Sequence, residues 1–170
     1  MKKIGIFYGS STGSTMRVAQ QLGQLLNVNP DDIYDISRVA PAAVAEYDVL
    51  LLGSSTWGKG ELQSDWLDFG NALRVMDLKD KTIAIFGCGN QMMRNTFCNA
   101  VGRLTDIAGE TGAKIIGQFN AEGYTFNKSE AKIEDTPMMK GLVLDEGNEP
   151  QLTKPRLKAW AELIKAEIGE

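Results

Sequence analysis

The sequence predicts a doubly wound α/β domain, with five parallel strands in one sheet and helices on both faces. Three observations predict it. Short apolar runs recur along the chain, each closed by small or polar residues, as strands buried on both faces require. Stretches of helical spacing fall between them, so strand and helix alternate about five times. The 170 residues are 43% hydrophobic and 24% charged, which suits a single domain over residues 1–170 with one buried core.

The elements follow in order. Lys3–Tyr8 reads as a buried strand closed by Gly9-Ser10-Ser11. Met16–Leu26 has helical spacing, with Val18, Leu22, Leu25 and Leu26 on one side. Asp32–Ile36 is a short second strand. Val49–Leu52 is a third, wholly apolar and ended by Gly53-Ser54-Ser55-Thr56. Leu62–Leu73 is expected to be helical, with Trp66, Phe69 and Leu73 near helical spacing. Thr82–Phe86 is a fourth strand, Asn95–Ala108 a helix and Lys114–Phe119 a fifth strand. Residues 120–139 interrupt the pattern without clear periodicity, either as a tolerated surface insertion or as a functional segment. Gly141–Leu144 is a further apolar run. Pro155–Ile168 closes the pattern as a helix with Pro155 expected in its first turn.

Several chemistries are excluded. The chain has no histidine, so no Ser-His-Asp triad, Cys-His dyad or His-containing metal site can be built. Its two cysteines, Cys88 and Cys98, are too few for a disulfide framework and lack CxxC spacing; they read as reduced thiols. A net charge of −4, without a basic stripe, argues against nucleic acid. No apolar stretch approaches the roughly 18 residues of a membrane helix. The run after Lys2-Lys3 is too short for a signal peptide core. A soluble, cytoplasmic protein is expected.

Ligands of open parallel sheets bind beyond the carboxyl ends of the strands, where strand order reverses. Three segments follow strand ends here. The first, Gly9-Ser10-Ser11-Thr12-Gly13-Ser14-Thr15, offers hydroxyls and the free N–H groups of the next helix. It has no Lys or Arg, so it suits a phosphate monoester held by neutral donors. It matches neither the Walker pattern nor GxGxxG. The second is Ser54-Ser55-Thr56-Trp57-Gly58-Lys59-Gly60-Glu61-Leu62. Its Trp57 either packs into the core or covers a flat ligand. The third runs from Gly87 to Cys98, and its glycines let the backbone approach a heterocycle closely.

Together these segments resemble the flavodoxin family, in its long-chain branch. The match begins with Ile6-Phe7-Tyr8 and the hydroxyl-rich loop after it. It is most specific at Thr56-Trp57-Gly58-Lys59-Gly60-Glu61-Leu62-Gln63-Ser64-Asp65-Trp66, and continues at Phe86-Gly87-Cys88-Gly89-Asn90-Gln91. Gly123-Tyr124-Thr125-Phe126 and Gly141-Leu142-Val143-Leu144-Asp145-Glu146 resemble the long-branch segment. The resemblance implies a flavodoxin-like sheet whose last strand is interrupted by an insertion of roughly 20 residues.

It also implies one non-covalent FMN and a low-potential one-electron carrier, a monomer with no catalytic residues of its own. Its partners would be a reductase-type donor and an acceptor enzyme, met transiently. By resemblance, Ser10, Ser11, Thr12, Gly13, Ser14 and Thr15 hold the phosphate. Trp57, flanked by Ser55 and Thr56, covers one flavin face, and the backbone of Gly58 and Lys59 meets N5, with Gly60 beside them in the cofactor site. Cys88, Gly89, Asn90, Met93, Arg94, Thr96, Phe97 and Cys98 meet the pyrimidine edge.

The chain departs from the family pattern in places. Relatives often carry a tyrosine where this chain has Met92-Met93-Arg94, so Met93 or Arg94 contacts the outer flavin face or leaves it more open. Asn90 and Gly147 stand where aspartates are common. With Lys59 and Arg94 nearby, the second reduction is expected to be easier than in strongly acidic relatives. Two other readings are weaker. An FMN-dependent NAD(P)H:quinone-type reductase would need a nicotinamide site. A signalling receiver would need an aspartate where Gly53-Ser54-Ser55 stands.

Overall fold

In the computed structural model, which describes residues 1–170, the two-residue period of the central strands sets the layering. Strands β1 (Ile4–Gly9), β3 (Val49–Trp57) and β5 (Thr82–Cys88) lie side by side and parallel. Val49 and Leu51 face one layer; Leu50 and Leu52 face the other. All four are fully buried. Helices α1 (Ser14–Leu25) and α4 (Pro150–Ile168) cover the first face with Val18, Leu22, Leu157, Trp160 and Ile164. Helices α2 (Trp66–Arg74) and α3 (Asn99–Glu110) cover the second with Trp66, Phe69, Leu73, Val101 and Leu104. The layers hold 20 and 21 buried residues, so both faces of the sheet are covered about equally.

Strand β2 (Ile33–Asp35) pairs with the outer side of β1. The far edge is shared by two short strands. Strand β6 (Lys114–Ile116) pairs with Thr82–Ala84, and β9 (Leu142–Leu144) with Phe86–Cys88. Residues between them leave the sheet, and the feet of that excursion pair as β7 (Phe119–Asn120) and β8 (Met138–Met139). The break falls at Gly117, whose φ is +86°. The Trp160 indole N–H donates to its carbonyl at 2.8 Å, and a Cβ there would lie 3.1 Å from Trp160 and Ile164. Order reverses at β1, which sends the chain to β2 on one side while β3 lies on the other. The crevice of the fold opens there.

Several expected elements are redrawn. Strand β3 runs on from Leu52 to Trp57, and β4 (Glu61–Leu62) folds back against its end. The expected helix over Leu62–Leu73 therefore starts at Trp66. The helix expected from Asn95 starts at Asn99, because residues before it form turns. The expected strand Lys114–Phe119 stops at Ile116. Between β2 and β3 the chain makes short 3-10 turns instead of an α-helix. The proline in the first turn of the last helix is Pro150; Pro155 lies inside it. No helix is long and apolar enough to cross a membrane.

Candidate functional site

The loops after β1, β3 and β5 gather at one edge of the sheet. Gln63 ties the first two together: its side-chain amide donates to Ser11 Oγ at 3.1 Å, and its backbone N–H donates to Ser54 Oγ at 3.0 Å. Ala100 N–H donates to Thr56 Oγ1 at 3.1 Å, which holds the end of β3 to the start of α3.

The first loop is short of partners. Gly13, at φ +95°, caps α1 without a side-chain cap bond. Its own N–H donates to Ser10 Oγ at 3.0 Å. Ser11 and Thr12 are exposed, whereas Thr15 is fully buried. The Thr15 hydroxyl has no regular hydrogen-bond partner. A helix start with open N–H groups attracts an anion. The reading of this loop as free of cations overlooked Arg17, one turn into α1. Its Nη2 donates to Ser14 Oγ at 3.2 Å, so a cation does overhang the loop. The sequence signal was present: residues three apart share a helix face.

The second loop is a tight hairpin. Trp57 O accepts from Gly60 N–H at 2.9 Å, with Gly58 at φ +51° and Gly60 at φ +103°. Trp57 does not enter the core. It stays 40% exposed, and its indole N–H donates to Ser55 Oγ at 2.7 Å, which fixes the ring at the rim. Lys59 is exposed at the tip.

The third loop is tied down by Gln91. Its N–H and its Nε2 both donate to Asp145 Oδ2 at 3.0 Å, Nε2 also donates to Glu149, and Oε1 accepts from Thr125 N–H at 2.6 Å. Asn148 donates to Asn90 Oδ1 at 2.8 Å and to Asp145. Burial alone would raise the Asp145 carboxyl, but donors from Gln91 and Asn148 outweigh it and hold it below the ordinary range. Met92, Met93 and Arg94 remain exposed, so Met93 and Arg94 stand free at the rim.

Three predicted site residues turn inward. The Phe97 ring is fully buried between Tyr124 and Phe126 of the excursion, at centroid distances of 5.7 and 5.4 Å. Its side chain packs the insertion instead of facing the cleft. Cys98, in left-handed backbone at φ +50°, is also fully buried. Cys88 is buried as well, and burial, helped by the Glu146 charge, pushes its thiol up to about 12. The nearby Thr15 hydroxyl opposes that rise. Burial likewise raises Cys98, so both thiols stay protonated and unreactive at neutral pH. Thr96 is half-buried, its N–H donating to Met93 O at 3.1 Å within the turn. What this stretch can offer a ligand is the backbone of Gly89 and Asn90 and the tips of Met93 and Arg94.

A separate surface hollow lies elsewhere. It measures about 1430 Å³, between α3 and the excursion, and is lined by mixed charges such as Glu130, Lys132 and Asp135. It gathers no constellation of reactive groups, so the strand-end loops remain the candidate site.

The profile of the flavodoxin family matches residues 6–160. The flavodoxin of Haemophilus influenzae is 40% identical over 169 residues, covering 99% of this chain and 97% of that one. Flavodoxin 1 of Escherichia coli K12 is 38% identical over 165 residues, covering 96% and 93%. Among solved structures, Fusobacterium nucleatum flavodoxin bound to flavin mononucleotide superposes with a TM-score of 0.88 at 29% identity, covering 98% and 99%.

Proposed function

The chain belongs to the flavodoxin family, and from that premise we propose that it is an electron-transfer protein holding one FMN without a covalent bond. The observation that carries this is the first loop, where the buried Thr15 hydroxyl, without a regular hydrogen-bond partner, lies in the same helix turn as the open N–H groups of α1. Unpaired donors at a helix start fit a phosphate, and the exposed indole of Trp57 across the crevice fits a flat ring. Both features are what FMN requires at its two ends.

Bound there, FMN would supply the one-electron redox chemistry. The chain's own residues bind and orient. Ser10, Ser11, Thr12, Gly13, Ser14 and Thr15 would hold the phosphate through hydroxyl and backbone donors. Trp57, steadied by Ser55, would cover one ring face and exclude water from it. The hairpin tip of Gly58, Lys59 and Gly60 would present its backbone to N5. Gly58 can turn its carbonyl toward an N5 proton, because glycine takes either sign of φ cheaply. Gly89 and Asn90 would meet the pyrimidine edge with main-chain groups.

The partners are redox proteins; we assign a reductase-type donor and an acceptor enzyme, both bound transiently at the exposed rim of Trp57, Met92 and Met93. We place the protein in the cytoplasm, where its two free thiols suit a reducing compartment. The reductase alternative is not favoured, since the relatives are named flavodoxins.

The test is the visible spectrum of the purified protein during stepwise anaerobic reduction. A yellow protein that turns blue, with a long-wavelength band, and then bleaches is expected. Direct bleaching by NADH or NADPH without a blue stage would favour the reductase. A colourless protein that FMN cannot reconstitute would overturn the cofactor.

A further inference from the structure

Side chains of a helix lean toward its N-terminus, so a residue in the second turn lies over the first. Arg17 obeys this geometry. Its Nη2 donates to Ser14 Oγ at 3.2 Å, and Nη1 lies 3.2 Å from where a Cβ on Gly13 would stand. The guanidinium therefore lies across the N-cap of α1, above the first loop.

That is an uncomfortable place for a cation. The start of a helix carries the positive end of its dipole, so a second positive charge there is opposed. No acid lies within ion-pair distance of it. The ion pairs of the chain are Arg74–Glu110, Lys79–Asp77, Arg103–Glu130, Arg156–Glu149 and Lys165–Glu162, and Arg17 is in none of them. The first turn of α1 contains no acidic residue. The only side-chain partner of Arg17 is the neutral Ser14 hydroxyl, which keeps its own proton to donate outward. The remaining guanidinium N–H groups stay free. In the same turn the fully buried Thr15 hydroxyl has no regular hydrogen-bond partner, with only the Cys88 thiol beside it.

We propose that Arg17 clamps the phosphate of the bound flavin nucleotide and so makes this site select the phosphorylated flavin over riboflavin. The inference rests on the cofactor reading above. A phosphate monoester carries between one and two negative charges near neutral pH, and neutral donors alone leave that charge uncompensated. A guanidinium is suited to the task, since its planar fork can give two N–H groups to one phosphate. Riboflavin has no phosphate, so Arg17 contributes nothing to its binding. Arg17 thus relieves its own repulsion with the helix start only when the phosphate arrives.

The test titrates three apoproteins, the parent, Arg17→Gln and Arg17→Lys, with FMN and with riboflavin at low and high salt. Arg17→Gln is expected to weaken FMN binding about tenfold, the worth of one charge-assisted hydrogen bond, and to leave riboflavin binding unchanged. Arg17→Lys should recover part of the loss, because it keeps the charge and loses the fork. Salt should weaken FMN binding to the parent more than to Arg17→Gln. Inorganic phosphate should raise the melting temperature of the parent apoprotein more than that of Arg17→Gln. Equal FMN affinity in parent and Arg17→Gln would overturn the clamp alone, as would a proportional loss of riboflavin. A parent that binds neither flavin would overturn the cofactor reading and the clamp with it.

Discussion

The loops after β1 and β5 flank the same strand and are built from similar small and polar residues, yet they end in opposite states. In residues 9–15 little is bonded internally: Ser10 caps the Gly13 N–H, and the Thr15 hydroxyl has no partner. In the loop after β5, Gln91 spends all of its side chain on Asp145, Glu149 and the backbone of Thr125. Arg156 completes that network, 3.2 Å from Glu149 and stacked 3.9 Å over the Tyr124 ring. Tyr124 in turn donates to Val143 O at the upper half of the split edge strand. Buried polar groups are costly to leave unpaired, so the difference has a meaning. The first loop keeps its donors for a ligand. The third has committed its side chains to the protein and can offer a ligand only backbone and rim.

The largest expected effect comes from breaking the committed loop. Gln91→Leu leaves the Thr125 N–H and part of the Asp145 carboxylate without partners, at 1% exposure of Asp145. The apoprotein should lose about 2–3 kcal/mol in urea unfolding. An unchanged midpoint would mean the network does not hold the loop. Thr15→Val should do the reverse. It replaces a partnerless hydroxyl with an isosteric methyl, so apoprotein stability should hold or rise slightly. FMN affinity should fall about tenfold, as for a lost hydrogen bond to a charged group. If the apoprotein is instead destabilised, the hydroxyl has a structural partner and the contrast between the loops fails.

Much of this was legible in the sequence, and the failures have common causes. Strand positions came from wholly apolar runs such as Val49-Leu50-Leu51-Leu52, whose burial on both faces leaves no other reading. The end of β3 was missed because Gly53 to Thr56 look like a loop. They remain extended because β5 pairs with them through Ser55. Trp57 could not be placed from sequence, since an indole serves core and rim equally well. The Ser55 hydrogen bond holds it at the rim. Phe97 and Cys98 were read as site residues because they adjoin a ligand-like loop. Phe97 is buried against Tyr124 and Phe126, which arrive from a segment with no readable period, and Cys98 against the carbonyl of Leu144, 46 positions away. Arg17 lies beyond the last hydroxyl of the loop, and only the helical turn brings it back over Ser14. The network around Asp145 joins residues 54 positions apart and left no local signal.

The hairpin tip between the two loops is intermediate: it is well formed yet has one movable peptide. Gly58 sits at φ +51°, a conformation that a β-branched residue adopts at a cost of about 1–2 kcal/mol. Gly58→Val should leave FMN bound but shrink the blue one-electron stage during reduction, since the 58 carbonyl can no longer turn freely. An undiminished blue stage would show that the tip behaves like the committed loop and not like an adjustable one.

The smallest effect is the most specific to the Asp145 network. The Asp145 carboxyl is held below the ordinary range in the folded chain, while in the unfolded chain it titrates near the usual value of about 3.9. A group with a depressed folded value stabilises the protein fully above its unfolded value, and that contribution is lost as pH falls through the folded value. The parent apoprotein should therefore lose stability below about pH 4 partly through Asp145. Asp145→Asn should be less stable at neutral pH and show a flatter fall across the same acid range. The other carboxylates titrate in both proteins, so the difference between the two urea-midpoint curves isolates this one. Parallel curves from pH 6 downward would mean that Gln91 and Asn148 hold the residue by shape and not by its charge, and the third loop would then need another explanation for its order.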